Sequence, residues 1–139
     1  MRIMIDTNVL ISAFVLNSKY LSEMISDITE HHTIVLPTYV IEELKRVTIE
    51  KFPAKCSLLE PFFRELPFEL VYTPETIDQS KYPDIRDLKD LPVLVTSILE
   101  DVDVLISGDG DFAPLEMEHP EILTPSSYVK KYCRDHNAT

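Results

Sequence analysis

Glycine is nearly absent from this chain of 139 residues, which contains only Gly108 and Gly110. A dinucleotide-binding fingerprint needs three spaced glycines, and a P-loop needs a glycine-rich run that ends in Gly-Lys. Neither motif can be built from two glycines that flank a single aspartate. The sequence therefore argues against cofactors that are held through a glycine-rich phosphate loop.

Cysteines and long apolar runs are also scarce. Cys56 and Cys133 are the only cysteines and share no metal-ligand spacing such as Cys-x-x-Cys, so we interpret both as free thiols in a reducing compartment. No apolar stretch approaches the ~20 residues of a membrane-spanning helix. Asp6 interrupts the N-terminal apolar stretch too early for a signal peptide. We expect a cytoplasmic protein that does not associate with membranes.

Positive charge is in deficit, with 13 basic residues against 24 acidic ones and a net charge of −11. Such a surface repels nucleic acid at long range. Carboxylates that bind divalent cations offset part of this repulsion. Two such cations would leave a net charge of about −7, which weakens the objection to a nucleic-acid ligand without removing it.

The apolar pattern alternates between short strands and amphipathic helices along the whole chain. Pro61 must kink or divide the fourth helix. Alternating strands and helices indicate one domain, residues 1–139, with a parallel sheet that is covered on both faces. We predict strands over residues 2–5, 34–36, 69–72, 103–106 and 122–123, and helices over residues 7–15, 18–29, 37–51, 54–66, 91–100 and 126–132.

Two acids sit at the end of the fourth predicted strand, next to both glycines. Asp109 and Asp111 follow the apolar run 104–106, and ligands of open α/β sheets bind beyond the carboxyl ends of strands. Glycine lets the backbone turn tightly and approach a ligand closely. Two carboxylates there suggest oxygen ligands for a hard divalent cation. The alternative is a plain polar turn, because Asp and Gly both favour turns.

Asp6 directly follows the first strand and should therefore lie at the same sheet edge as Asp109. Its alternative role is an N-cap for the helix that begins at Thr7.

Helical periodicity separates Glu43 from Glu42. Residues of a helix advance by ~100° each, so Glu43 falls on the apolar face and Glu42 faces solvent. An unpaired buried charge is costly, which favours a shared metal ion for Glu43. A half-buried ion pair with Lys45, Arg46 or a distant arginine is the alternative. The apolar stripe that sets this phase consists of Val40, Leu44 and Val47.

Asp87 and Asp90 precede the fifth helix. Pro92 has no N–H and belongs in the first turn, so Asp90 is the best candidate for the N-cap. A carboxylate at a helix N-terminus is also held in one orientation, so Asp90 can be both a cap and a metal ligand. Asp87 lies before the helix and would support the loop.

These acids are expected at successive strand ends and inward helix positions of one sheet. Crowded carboxylates repel each other, and divalent cations relieve the repulsion. Metal-assisted hydrolysis of phosphodiesters uses such sites.

Four motifs in this order resemble those of PIN-domain nucleases, most closely the stand-alone prokaryotic proteins classed as toxins of toxin–antitoxin pairs. Together they span nearly the whole chain. The motifs are Ile5-Asp6-Thr7-Asn8-Val9-Leu10, residues 37–44 with Glu43 as the matching acid, residues 86–94 with Asp90 matching, and Ser107-Gly108-Asp109-Gly110-Asp111-Phe112.

The resemblance implies a three-layer α/β/α sandwich and Mg²⁺- or Mn²⁺-dependent cleavage of RNA. It also implies homodimers and a small antitoxin protein as partner. Under this interpretation the cations are held by Asp6, Glu43, Asp90 and Asp109, with Asp111 as a looser ligand.

Further residues would assist this site. Asn8 and Ser107 would orient the carboxylates, and Ser107 stands where the family commonly has Thr. One basic patch for phosphates would consist of Lys130, Lys131 and Arg134.

Two other functions stay open at this point. A phosphatase or phosphoryl-accepting domain would use Asp6 as a nucleophile after the first strand. A non-catalytic domain would use the same fold to bind proteins.

Overall fold

Five parallel strands form the sheet of the computed structural model, which describes residues 1–85, 87–108 and 117–133. The strand order within these ranges is β3-β2-β1-β4-β5, and each neighbouring pair is parallel. This confirms the predicted parallel α/β sheet. The strands are β1 (Arg2–Ile5), β2 (Thr33–Pro37), β3 (Glu69–Val71), β4 (Val104–Ile106) and β5 (Glu121–Leu123).

Helices cover both faces of this sheet, as predicted. From β1 the chain adds β2 and β3 on one side of the sheet, and it then returns to add β4 and β5 on the other side of β1. Because crossovers between parallel strands are right-handed, connections that run in opposite directions along the sheet place their helices on opposite faces. The result is the three-layer α/β/α sandwich. The helices are α1 (Thr7–Leu10), α2 (Lys19–His31), α3 (Thr38–Lys51), α4 (Leu59–Glu65), α5 (Leu91–Leu99) and α6 (Pro125–Tyr132).

The inner strands are apolar because both of their faces are covered. Ile3, Met4 and Ile5 of β1 are fully buried, as are Leu105 and Ile106 of β4. Such a continuous apolar sequence lacks the alternation of polar and apolar residues that marks a half-exposed strand. These strands were therefore predicted from the short length of the apolar run and from the polar residues beside it.

Several predicted boundaries differ from the structure. The first helix widens into a π-helical turn over Ile11–Val15. Pro37 ends β2 and precedes the first residue of α3. The predicted helix 54–66 is divided into a 3₁₀ segment, Pro53–Leu58, and α4. Pro61 lies in the first turn of α4, where its missing N–H leaves no hydrogen bond unmade.

Gly108 does not need the freedom of glycine. Neither a positive φ nor a close approach is found there, and a Cβ at this position would lie 3.7 Å from Val9 Cγ2, an ordinary contact. The chain bends at Gly108 in a conformation that other residues can also adopt. Gly110 lies outside the described residues.

Both cysteines are free, as predicted, and they differ in environment. Cys133 is buried, and its Sγ donates to Asp27 Oδ2 at 3.2 Å. Burial, together with the contact to Asp27, raises the pKa of the Cys133 thiol to about 12. Cys56 is partly exposed. No helix in the described ranges is both long and apolar enough to cross a membrane.

We expect the two thiols to react at very different rates. The thiolate is the reactive form, so near neutral pH Cys133 should react with an aromatic disulfide reagent at least about 100-fold more slowly than Cys56. Stopped-flow absorbance on the native protein, with Cys56→Ser as control, measures both rates. Two equal fast phases would contradict the buried thiol.

The hydroxyl of Tyr128 is buried without a hydrogen-bond partner among the described residues, whereas Tyr132 donates to Glu121 Oε1 at 2.5 Å. Tyr128→Phe should therefore leave the free energy of unfolding unchanged or raise it by up to about 1 kcal/mol. Tyr132→Phe is the matched control and should lower it by about 1 kcal/mol. Urea unfolding measures both, and a clear loss in Tyr128→Phe would show that its hydroxyl has a partner.

Candidate active site

The strand order reverses between β1 and β4, and polar residues follow both strands at this point. Ile5 pairs with Ile106, so Asp6 and Ser107 leave the sheet side by side. The Asp6 N–H donates to the Ile106 carbonyl at 3.0 Å. Crevices at such switch points are where open α/β sheets bind ligands.

Asp6 is both an N-cap and a residue of this crevice. Its Oδ1 accepts from the Val9 N–H at 3.1 Å, which caps α1, so the capping alternative is confirmed. Its Oδ2 accepts from the Ser107 hydroxyl at 2.6 Å. Hydrogen bonds to a carboxylate are short and strong. Both oxygens are therefore held in fixed directions.

The helical phase predicted for α3 is confirmed. Glu42 is exposed, whereas 20% of the Glu43 side chain is accessible. Glu43 Oε2 accepts from the Tyr39 hydroxyl at 3.1 Å and lies 3.7 Å from Arg46 Nη2. The ion-pair alternative is thus also present, although Arg46 is more than half exposed and such pairs contribute little. Lys45 instead places its ammonium group over an aromatic ring.

The N-cap position predicted for Asp90 is confirmed, but its side chain does not act as a cap. Asp90 occupies the N-cap position of α5 but has a helical backbone, and its side chain makes no cap hydrogen bond to described residues. A 3₁₀ turn, Leu88–Asp90, precedes α5, and Asp87 caps that turn by accepting from the Lys89 N–H at 3.0 Å. Because Pro92 offers no N–H, the first turn of α5 has one donor fewer for Asp90 to satisfy.

One small cleft brings three of the predicted acids together. Its lining consists of Asp6, Thr7, Asn8, Glu43, Asp90 and Val93. Thr7 Oγ1 is buried and has no hydrogen-bond partner among the described residues. Carboxylate, amide and hydroxyl oxygens are the donors that a hard divalent cation prefers, so the chemistry of the lining suits such an ion. The spacing of the described residues does not enclose one, because no three acidic, His or Cys side chains among them converge closely enough to hold a metal ion.

The remaining predicted site residues either lie outside the described residues or belong to another part of the fold. Asp109, Asp111 and Arg134 lie outside the described residues. Lys130 and Lys131 belong to the last turn of α6, and Lys131 pairs with Glu121. Glu121 begins β5, so this pair sits at the amino-terminal edge of the sheet, opposite the cleft.

A larger cavity of about 390 Å³ lies elsewhere, between α2 and α4, and shares no residue with the acidic cleft. Its main apolar side chains are Phe14, Ile25, Leu58, Phe62 and Leu66.

A family model of the PIN domain matches residues 2–111, which is most of the chain. The chain belongs to the PIN domain family. Its fold is similar to a crystal structure of VapBC2 from Rickettsia felis bound to a DNA fragment from their promoter. The TM-score is 0.67 at 16% identity, covering 88% of this chain and 97% of that one, so the likeness is one of fold. No curated protein sequence matches the chain.

Sequence reasoning missed two residues at this site of the PIN domain: Thr7, which lines the cleft, and Tyr39, which contacts Glu43. In the sequence, Thr7 is marked only by its position after Asp6. The burial of its hydroxyl depends on tertiary packing, which the local sequence does not reveal. Tyr39 lies four residues before Glu43, and this spacing places two side chains on one helix face, which was a usable signal. Burial, followed by the nearby charge of Glu43, raises the pKa of Tyr39 to about 12.

Ser107 offers a test of how firmly Asp6 is held. Ser107→Ala removes the donor to Asp6 Oδ2, so the free energy of unfolding in chelator should fall by about 1–3 kcal/mol. Ser107→Thr keeps the hydroxyl and should retain most of the stability. Urea unfolding of the three proteins measures the difference, and equal stability of the Ala variant would show that this hydrogen bond contributes nothing.

Proposed function

We propose that this PIN domain is a metal-dependent endoribonuclease that hydrolyses RNA phosphodiester bonds. The observation that carries the proposal is the meeting of Asp6, Glu43 and Asp90 in one cleft at the switch point of the sheet. Their oxygen donors suit Mg²⁺ or Mn²⁺. Membership of the PIN family supports the same chemistry.

The cations would be held by Asp6, Glu43 and Asp90, together with Asp109 and Asp111 from the fourth motif. A bound cation supplies activation of the attacking water and neutralises charge on the phosphate. The chain's own polar groups hold the ligands in place. Ser107 fixes one oxygen of Asp6, and the Val9 N–H fixes the other.

Phosphoryl transfer to Asp6 is the less favoured alternative. Both oxygens of its carboxylate accept hydrogen bonds, and such bonds stabilise the anion and reduce its nucleophilicity. A purely protein-binding role gives no reason for three acids to line one cleft, since like charges held together cost stability.

We further propose that the protein is the toxin of a toxin–antitoxin pair and acts in the cytoplasm. One structure with a similar fold is VapBC2 from Rickettsia felis, bound to a DNA fragment from their promoter. By analogy, the partner here would be a small antitoxin protein, and the toxin would form a homodimer. A partner that covers the acidic surface would also determine when RNA reaches the cleft.

The experiment is cleavage of a mixed-sequence RNA pool with millimolar Mn²⁺ or with chelator. Wild type should cleave only with the metal, and Asp6→Asn should be inactive. Glu43→Gln should lower the rate about 10–100-fold, because a ligand is lost or weakened. Glu42→Gln is the matched control, one residue away and exposed, and should keep wild-type activity.

Thermal melting in chelator establishes that each variant is folded. Activity in chelator, or equal losses in the two glutamate variants, would contradict the proposed metal site. Cleavage by wild type and Asp6→Asn at the same rate would indicate a contaminating nuclease and defeat the assignment.

A further inference from the structure

The hydroxyl of Tyr39 connects two acid-bearing parts of the cleft. Its oxygen lies 3.1 Å from Glu43 Oε2 and 3.1 Å from the carbonyl oxygen of Lys89. Lys89 directly precedes Asp90 in the 3₁₀ turn before α5. A single side chain thus touches the Glu43 carboxylate and the backbone that carries Asp90.

Tyr39 is itself fixed at its backbone. Pro37 provides no side-chain cap for α3. The Tyr39 N–H instead donates to Thr73 Oγ1 at 3.2 Å, and the Thr73 N–H donates to Thr38 Oγ1 at 3.0 Å. Thr73 lies two residues beyond β3, so a neighbouring strand end supplies the cap that α3 lacks. These two hydrogen bonds between Thr73 and the start of α3 fix the backbone from which the Tyr39 side chain extends.

Both partners of the Tyr39 hydroxyl act as acceptors, and the hydroxyl has one proton to donate. A carboxylate attracts that proton more strongly than a neutral carbonyl does. The stronger bond fixes the orientation of the Glu43 carboxylate before a cation binds, so less freedom is lost on binding. A cation bound to Glu43 would also change the electric field at the Tyr39 ring, so the absorbance of Tyr39 would report on metal occupancy.

We propose that Tyr39 is a positioning residue of the metal site, which orients Glu43 directly and ties it to the turn of Asp90. This inference rests on the proposed metal-dependent function. Loss of the hydroxyl should therefore weaken metal binding, while the turnover rate at saturating metal falls much less.

The test compares wild type with Tyr39→Phe, which keeps the ring and removes the hydroxyl. Tyr72→Phe is the matched control, because Tyr72 is 78% exposed. Titration calorimetry with Mn²⁺ should show an affinity about 10-fold or more lower in Tyr39→Phe, as is typical when a hydrogen-bonding partner of a metal ligand is removed. Tyr72→Phe should bind as wild type does.

A spectroscopic signal provides a second measurement. The chain has six tyrosines and no tryptophan, so its near-ultraviolet absorbance above the phenylalanine bands reports on tyrosine. Mn²⁺ should produce a saturable difference spectrum in wild type and in Tyr72→Phe, and that spectrum should disappear in Tyr39→Phe. A cooperative melt in chelator shows that each variant is folded.

The outcomes separate this inference from the proposed function. No Mn²⁺ binding by wild type, with or without RNA, would overturn the metal site itself. Binding by wild type with an unchanged affinity and difference spectrum in Tyr39→Phe would overturn only the role of Tyr39. Equal weakening in Tyr72→Phe would also overturn it, since that side chain is exposed to solvent and lines no part of the cleft.

Discussion

The parallel pairing of β1 with β4 is the constraint on which the candidate site depends. Ile5 pairs with Ile106, so the two strands end together and the next residues, Asp6 and Ser107, leave the sheet side by side. Two further acids line the same cleft: α3 contributes Glu43, and the 3₁₀ turn before α5 contributes Asp90. A slip of this register by one residue would turn Asp6 away from the crevice, because side chains alternate between the two faces of a strand.

Neutral donors hold the acids of the cleft in place. The Ser107 hydroxyl and the Val9 N–H bind the two oxygens of Asp6, and the Tyr39 hydroxyl binds Glu43. Neutral donors fix the direction of a carboxylate without cancelling its charge. The cationic contact from Arg46 to Glu43 is long and largely solvent-exposed, so it also leaves most of the charge of Glu43 in place.

The sequence was sufficient for features that depend on periodicity and strand ends. The parallel sheet, the placement of Asp6 after β1 and the inward phase of Glu43 all follow from such local patterns. Features that depend on distant partners were not predictable. Asp90 takes the N-cap position of α5 without a side-chain cap because a 3₁₀ turn, capped by Asp87, precedes the helix. Tyr39 reaches Lys89 across 50 positions of sequence. The places of Asp109 and Asp111 stay predictions, since both lie outside the described residues.

The net charge of −11 repels a polyanion such as RNA, and this repulsion between the whole molecules acts mainly at long range. Dissolved salt shortens that range. At physiological ionic strength the screening length is about 8 Å, so carboxylates on the far side of the domain contribute little at the cleft. Among the described residues, the charges near the cleft are its own acids, Arg46 and the exposed Lys89. Cations bound by the acids would offset much of this local negative charge. Under the proposed function, the acidity of the chain would slow the approach of RNA more than it would weaken contact at the site, and metal occupancy would be the condition for binding as well as for hydrolysis.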